Sequence, residues 1–371
     1  MSARDRAPDL RWRALKRRTL TGLNPAFESL LAGLAGLLIG AIVMAIWKYN
    51  PWKAYAAMFS GAFGDTFGIA SSLARATPLI LTALTFSICV RAGMFNIGAE
   101  GQVYVGALAA ACVGYFSLPP GLHLIVGLAF AVVAGGLWSL GPAILKVTRG
   151  VNEVISTIMF NWISHFLGFY LVANIMVDRI HSERTVSVPP SARFPLLVRG
   201  TDLSYALFAA IAFAVVIYFI LWHTVTGYEV RAAGLNPTAA RYGGINSRRT
   251  MLLAFILGGM GAGLAGASMV MGQPPTFAIT SGMGEVVNLG FDGMAVAMVG
   301  RNHPIGILFA ALFFGGLTAG ARAMQMRAGV PLDMVLLVEG IIVVALAIPE
   351  LARVFRILEH RMVRFLRRRS A

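Results

Sequence analysis

Ten apolar windows recur along this chain, at residues 27–47, 73–90, 98–116, 122–147, 152–176, 203–223, 251–271, 284–300, 304–324 and 331–348. Each is long enough, as a helix, to cross about 30 Å of hydrocarbon. Backbone inside lipid must satisfy its own hydrogen bonds, which a helix of this length does and a lone strand does not. The expected fold class is therefore all-α, a polytopic membrane protein of about ten transmembrane helices. Composition points the same way. Of 371 residues 57% are hydrophobic and 13% charged, against roughly 25% charged in an average soluble domain.

Charge orders the windows in the membrane. The net charge of +15 comes largely from two flanking blocks, 4–18 and 353–369. Cations that bracket an apolar body, with no basic face, fit the positive-inside rule and anionic lipid, and argue against a nucleic-acid partner. Both termini are then expected in the cytoplasm, which demands an even number of crossings. The eighth window is the weakest, because Glu285, Asn288 and Asp292 interrupt it. Keeping it places Arg91, residues 146–149, 228–249 and Arg301 on the cytoplasmic side. Loop 177–202 falls outside despite Arg179, Arg184, Arg193 and Arg199. The expected organisation is a basic segment 1–26, a transmembrane domain 27–350 with a cytoplasmic loop 224–250, and a basic tail 351–371.

Several chemistries lack support. Cys89 and Cys112 both lie in apolar runs and read as small core hydrophobes. The six histidines have no ligand spacing, so no metal site is expected. There is no G-x-x-x-x-G-K-[ST] loop and there are only four lysines, so any ATP is expected to be hydrolysed by another chain. The chain itself is not expected to be an enzyme or to hold a cofactor. The first apolar window has spanning length and reads as a retained helix. Segments 48–72 and 177–202 suit interfacial helices or a docking surface, the first through Trp52, Phe59, Phe63 and Phe67 and the second through Pro189 and Pro190.

Polar side chains inside the windows are the candidate site. Residues 95–102, Phe-Asn-Ile-Gly-Ala-Glu-Gly-Gln, place Asn96, Glu100 and Gln102 at the start of the third window. A carboxylate at that depth faces protein or a water-filled path. Asn96, Glu100 and Tyr104 are four apart, one face of a helix. Lining a path and hydrogen-bonding neighbouring helices both suit these groups. Glu153, Thr157, Asn161 and His165 repeat the spacing on the fifth window, with Asn152 as a candidate N-cap. Glu285, Asn288 and Asp292 fall at i, i+3 and i+7 in the eighth, where Gly282, Gly284, Gly290 and Gly293 make the span pliable. The expected path residues are Phe95, Asn96, Glu100, Gln102, Glu153, Asn161, Asn288 and Asp292, with Phe95 or Trp162 available for stacking. Gly36-x-x-x-Gly40 and Gly259-x-x-x-Gly263, followed by Gly266, predict close helix crossings.

One cytoplasmic segment, 227–249, has mixed polarity. Gly234 is placed to end a helical piece, Asn236 to cap the next and Pro237 to occupy its first position. A short helix over 237–242 follows, closed by Gly243 and Gly244, with Ala239 and Ala240 keeping its profile low. Such an element suits a docking role.

Three stretches, 95–102, 150–163 and 231–245, together resemble the permease subunits of bacterial ABC importers. Within these the chain looks most like the branched-chain amino acid, simple sugar and nucleoside permeases, nearest the nucleoside or simple-sugar group. The resemblance implies a multi-pass protein of the bacterial inner membrane that moves a small polar solute, a nucleoside first and a ribose-like sugar as the alternative. It implies separate ATPase subunits, a second permease (paralogue or copy) and a periplasmic or lipoprotein substrate-binding protein. It also implies ATPase coupling for Arg231, Gly234, Asn236, Ala239, Ala240, Gly243 and Ile245. The alternative of another class is an ion-coupled secondary transporter using Glu100, Glu153 and Asp292 as carriers. That reading leaves the docking-like loop unexplained.

Overall fold

The structure is a computed structural model that describes residues 25–284 and 286–347, with side-chain surroundings at 33–342 and 344. The basic flanks at 1–24 and 348–371, and Glu285, lie outside the described residues. Helices α1 (Pro25–Ile46), α2 (Pro51–Phe63), α3 (Thr66–Arg91) and α4 (Ala99–Ala111) come first. A 3₁₀ turn, Cys112–Tyr115, extends α4, and α5 (Leu122–Arg149), α6 (Glu153–Asn174) and α7 (Ala206–His223) follow. Then come α8 (Val225–Leu235), α9 (Pro237–Tyr242), α10 (Ser247–Gly272), α11 (Leu289–Val299), α12 (Pro304–Ala328) and α13 (Asp333–Ala347).

The starts of these helices follow from short polar residues. Asn50, Asp65, Asn152, Thr224, Asn236 and Asn246 each accept a backbone N–H from the first turn of the helix they precede. Each such cap is worth about 1 kcal/mol. Gly150 and Gly329 close α5 and α12 in the left-handed conformation, at φ 67° in both, which glycine adopts without a Cβ penalty.

Among the described residues six helices are long and apolar enough to cross a membrane, namely α3, α5, α6, α7, α10 and α12. Gly33–Ile46 and Leu289–Val299 are shorter apolar stretches. Burial divides the long ones: 78% of the most apolar window of α3 and 67% of that of α10 is buried, against 28% for α5 and for α6. The core is thus α3 and α10, with α4, α5, α11 and α12 packed on them and α1 paired with α13 at one edge. Small residues make this possible. A Cβ on Gly259 or Gly263 of α10 would meet the Gly135 or Ala131 carbonyl of α5, and one on Gly266 would meet the backbone of Val103 and Ala107 in α4. Gly36 and Gly40 bring α1 against Ile342 and Val338 of α13 in the same way.

Two expectations need correction. The window 284–300 forms a helix only over Leu289–Val299, because Asn288 takes the left-handed conformation at φ 66° and stands before the helix as its cap position. Asn288 and Asp292 therefore do not share a helical face. Asn96 likewise precedes α4, so it is not on the face that carries Glu100 and Tyr104.

The loops sort into two ends. At one, segment 177–202 pairs with 277–281 through Thr185 N–H to the Ile279 carbonyl (2.9 Å), Val188 N–H to the Phe277 carbonyl (2.7 Å) and Ser281 N–H to the Glu183 carbonyl (2.7 Å). The Arg193 guanidinium stacks over Phe277 at 4.1 Å. At the other end Arg91 Nε donates to the Asn302 carbonyl at 3.0 Å, and Gly93 touches Gly234 backbone to backbone. Lys146 there pairs with Glu153 at 2.7 Å.

Candidate functional site

Most of the polar groups that stood out in the sequence meet in one knot at the start of α4. Asn96 Oδ1 accepts from Gly98 N–H (2.9 Å) and Gln102 Nε2 (3.2 Å), while Asn96 Nδ2 donates to Gln102 Oε1 (3.3 Å). Asn161 of α6 donates to the Ile97 carbonyl at 2.9 Å and accepts from Gly101 N–H at 2.8 Å. Glu100 accepts from Tyr104 Oη at 2.8 Å, from Asn288 N–H at 2.5 Å and from Gly290 N–H at 2.6 Å. Its carboxylate thereby caps α11 from a different helix, and suits the positive end of that helix dipole. Asn96, Glu100, Gln102 and Asn161 are all buried. A hydrogen bond nets about 0.5–1.5 kcal/mol, but an orphaned buried partner costs about 1–3 kcal/mol. Each member of the knot therefore holds the others in place.

The remaining expected path residues sit elsewhere. Phe95 is half exposed and stands edge-on to Phe86 at 5.5 Å. Glu153 is engaged by Lys146 across the α5–α6 junction. Asn288 contributes its backbone N–H to Glu100.

A cavity of about 200 Å³ lies a short distance away, between α3, α7, α10, α11 and α12, toward the end that carries loop 177–202. Its polar wall is Arg75, Thr77, Asp202, Ser204, Ser268, Gln273, Asp292 and Thr318. Of the expected path residues only Asp292 lines it. The hydroxyls of Thr77, Ser268 and Thr318 donate to carbonyls of their own helices, at Leu73 (2.9 Å), Ala265 (2.7 Å) and Phe314 (3.0 Å). Thr318 also reaches Glu339 Oε1 of α13 at 3.2 Å. Gln273 Oε1 is buried with no partner among the described residues. Arg75 makes no hydrogen bond to a described residue, and the charges acting on it are Asp202 and Arg322. Sequence reasoning missed all of these except Asp292. One sign was present: Arg75 is a cation inside the apolar window 73–90, where ionisable groups mark function.

The third feature is the α8–α9 pair. Asn236 caps α9 through its side chain, accepting from Thr238 N–H at 3.1 Å and Ala239 N–H at 3.0 Å. Helix α9 spans Pro237–Tyr242, the bounds the sequence predicts, and ends at Gly243 with Gly244 at φ 83°. Ala240 is buried and Ala239 exposed, so one alanine faces the bundle and one faces out. Ile245 N–H closes the turn on the Ala240 carbonyl at 3.0 Å. Gly234 does not end α8, which runs to Leu235. It is small because a Cβ there would meet the Arg91 carbonyl. Leu235 and Tyr242 are 88% and 90% exposed, two large side chains that stand clear of the bundle. Behind them Trp222 holds Arg91 (5.4 Å) and Arg231 (5.8 Å) over its ring and His303 at 4.7 Å. Burial and the Arg91 charge push His303 below the usual imidazole range, so it adds no third cation there.

Residues 68–347 match the family described as branched-chain amino acid transport system / permease component. The chain belongs to that family. Among the relatives of this permease, the guanosine ABC transporter permease protein NupP of Bacillus subtilis is 38% identical over 331 residues, covering 88% of this chain and 94% of its own. The nucleoside ABC transporter permease protein NupB of Lactococcus lactis is 35% identical, over 86% of this chain and 90% of its own. The glucose ABC transporter permease protein TsgB13 of Haloferax volcanii is 32% identical, over 92% of each.

Proposed function

We propose that this permease is the membrane subunit of an ATP-driven importer that carries nucleosides across the bacterial inner membrane. It would work with a separate ATPase, a second permease and an external binding protein. The observation that carries the docking half of this reading is the α8–α9 pair. Its two exposed apolar side chains sit at the end where Arg91, Lys146 and Arg301 gather, the side that positive charge assigns to the cytoplasm. The ATPase would dock there, and Arg231, Gly234, Asn236, Ala239, Ala240, Gly243 and Ile245 would shape the contact. Ten crossings would put segment 177–202 on the outside, facing the binding protein. Nucleosides are favoured as cargo by the likeness to NupP and NupB, and the likeness to TsgB13 supports a sugar as the second reading.

The test is reconstitution of the complete importer in vesicles. Uptake of labelled guanosine that requires both ATP and the binding protein is expected. Uptake of glucose in its place selects the sugar reading. Uptake driven by an ion gradient with no ATPase present would overturn the proposal in favour of a secondary transporter. Leu235→Ala with Tyr242→Ala, both on exposed positions, should leave the permease folded and weaken ATPase co-purification. Unchanged co-purification contradicts the docking assignment.

A further inference from the structure

We infer that the cavity bounded by Arg75, Gln273 and Asp292 is a binding site within this chain for an uncharged solute rich in O–H and N–H donors, and that it rejects phosphorylated forms of the same solute. The inference rests on the import reading above.

The chemistry of the wall carries it. Thr77, Ser268 and Thr318 spend their protons on helix carbonyls, so toward the cavity they offer oxygen lone pairs, which accept. Asp202 and Asp292 add carboxylate acceptors, and the unpartnered Gln273 Oε1 adds another. Against these stand three donor groups among the described residues, the Arg75 guanidinium, the Gln273 amide and the Ser204 hydroxyl. A wall weighted toward acceptors is complementary to hydroxyl and amine protons, with Arg75 left for one carbonyl or ring nitrogen. A nucleoside carries both kinds of group, the ribose hydroxyls and base amine on one side and a base carbonyl on the other.

Phosphate fails both requirements. It brings acceptors only, and two charges that need cations. Among the described residues the lining holds one arginine against two aspartates. The nearest charges behind the wall, Arg322 beside Arg75 and Glu339 beside Thr318, leave that balance unchanged. The volume of about 200 Å³ lies below the usual 300–1,000 Å³ of drug-sized pockets, which suits a single small solute. Burial makes the open valences consequential. An unpaired buried polar atom such as Gln273 Oε1 is costly until a ligand fills it.

The experiment uses the complete importer with Cys89 and Cys112 replaced by Ala and Ser268→Cys introduced. Guanosine, and not guanosine monophosphate, should slow maleimide labelling of that thiol. In parallel, Arg75→Gln and Gln273→Leu should each cut guanosine uptake by about tenfold or more, the loss of one charge-assisted or buried hydrogen bond. ATPase co-purification should persist in both. Equal protection by nucleoside and nucleotide, no protection by guanosine, or unchanged uptake in both variants would overturn the site. Failure of the import reading looks different, because the parent importer would then take up no nucleoside at all. Where a variant does not assemble, the labelling result on Ser268→Cys decides alone.

Discussion

The knot at the start of α4 and the cavity beside α3 are both clusters of polar side chains inside the bundle, and they differ in how far those groups are paired. In the knot, Asn96, Gln102 and Asn161 have both amide atoms occupied, and Glu100 holds three donors. In the cavity, Gln273 Oε1 has no partner and Arg75 no hydrogen bond among the described residues. On the proposed reading, the saturated knot serves assembly and the unsaturated cavity serves a ligand. A satisfied network fixes helices against each other.

Substitutions can break this contrast. The largest effect is expected for Glu100→Ala, which strands the Asn288 and Gly290 N–H groups and the Tyr104 hydroxyl. Their exposure should lower stability by about 2–5 kcal/mol, read as loss of assembled permease in detergent. Asn161→Ala should follow, at about 2–3 kcal/mol for the two bonds it makes to the 97–101 backbone. In the same assay Asn161→Asp, which can still accept from Gly101 but sets a buried carboxylate against the Ile97 carbonyl, should lose at least as much. Asn96→Ala and Gln102→Ala should each cost about 1–2 kcal/mol. A double-mutant cycle should show them coupled by about 0.5–1 kcal/mol, since each completes the other. Gln273→Leu should have the smallest effect on stability, near zero or slightly positive, because it deletes an acceptor that the protein leaves unpaired. A stability loss there comparable to Asn161→Ala would erase the distinction between the two regions.

Much of the fold was legible because it depends on local rules. Asn152, Asn236 and Pro237 set helix starts by their own chemistry, and the short helix Pro237–Tyr242 emerged with its predicted bounds. The apolar windows likewise gave the long helices to within a few residues, except that α3 begins at Thr66, seven residues before its window. Spacing failed where the helix it assumed was absent. Asn96 and Asn288 stand outside α4 and α11, so the helical i, i+4 faces expected of Asn96 with Glu100 and of Asn288 with Asp292 do not form. The cavity was illegible for a different reason. Thr77, Ser268 and Thr318 are common residues on apolar helices, and Asp202 and Gln273 lie in loops, so only tertiary packing brings them together. Conspicuous residues such as Glu100 drew the eye because they are costly to bury, and the structure shows that cost met by neighbours.

The central claim is that open valences, and not buried polarity as such, mark where solute sits. Comparing Gln273→Leu with Gln102→Leu in the complete importer tests it most directly, with guanosine uptake normalised to the amount of assembled complex. Gln273→Leu should assemble normally and lose about tenfold or more of its uptake. Gln102→Leu should assemble poorly, yet each surviving complex should transport near the parental rate. The reverse pattern, with Gln102→Leu inactive per complex and Gln273→Leu unaffected, would contradict the account and return the solute path to the knot.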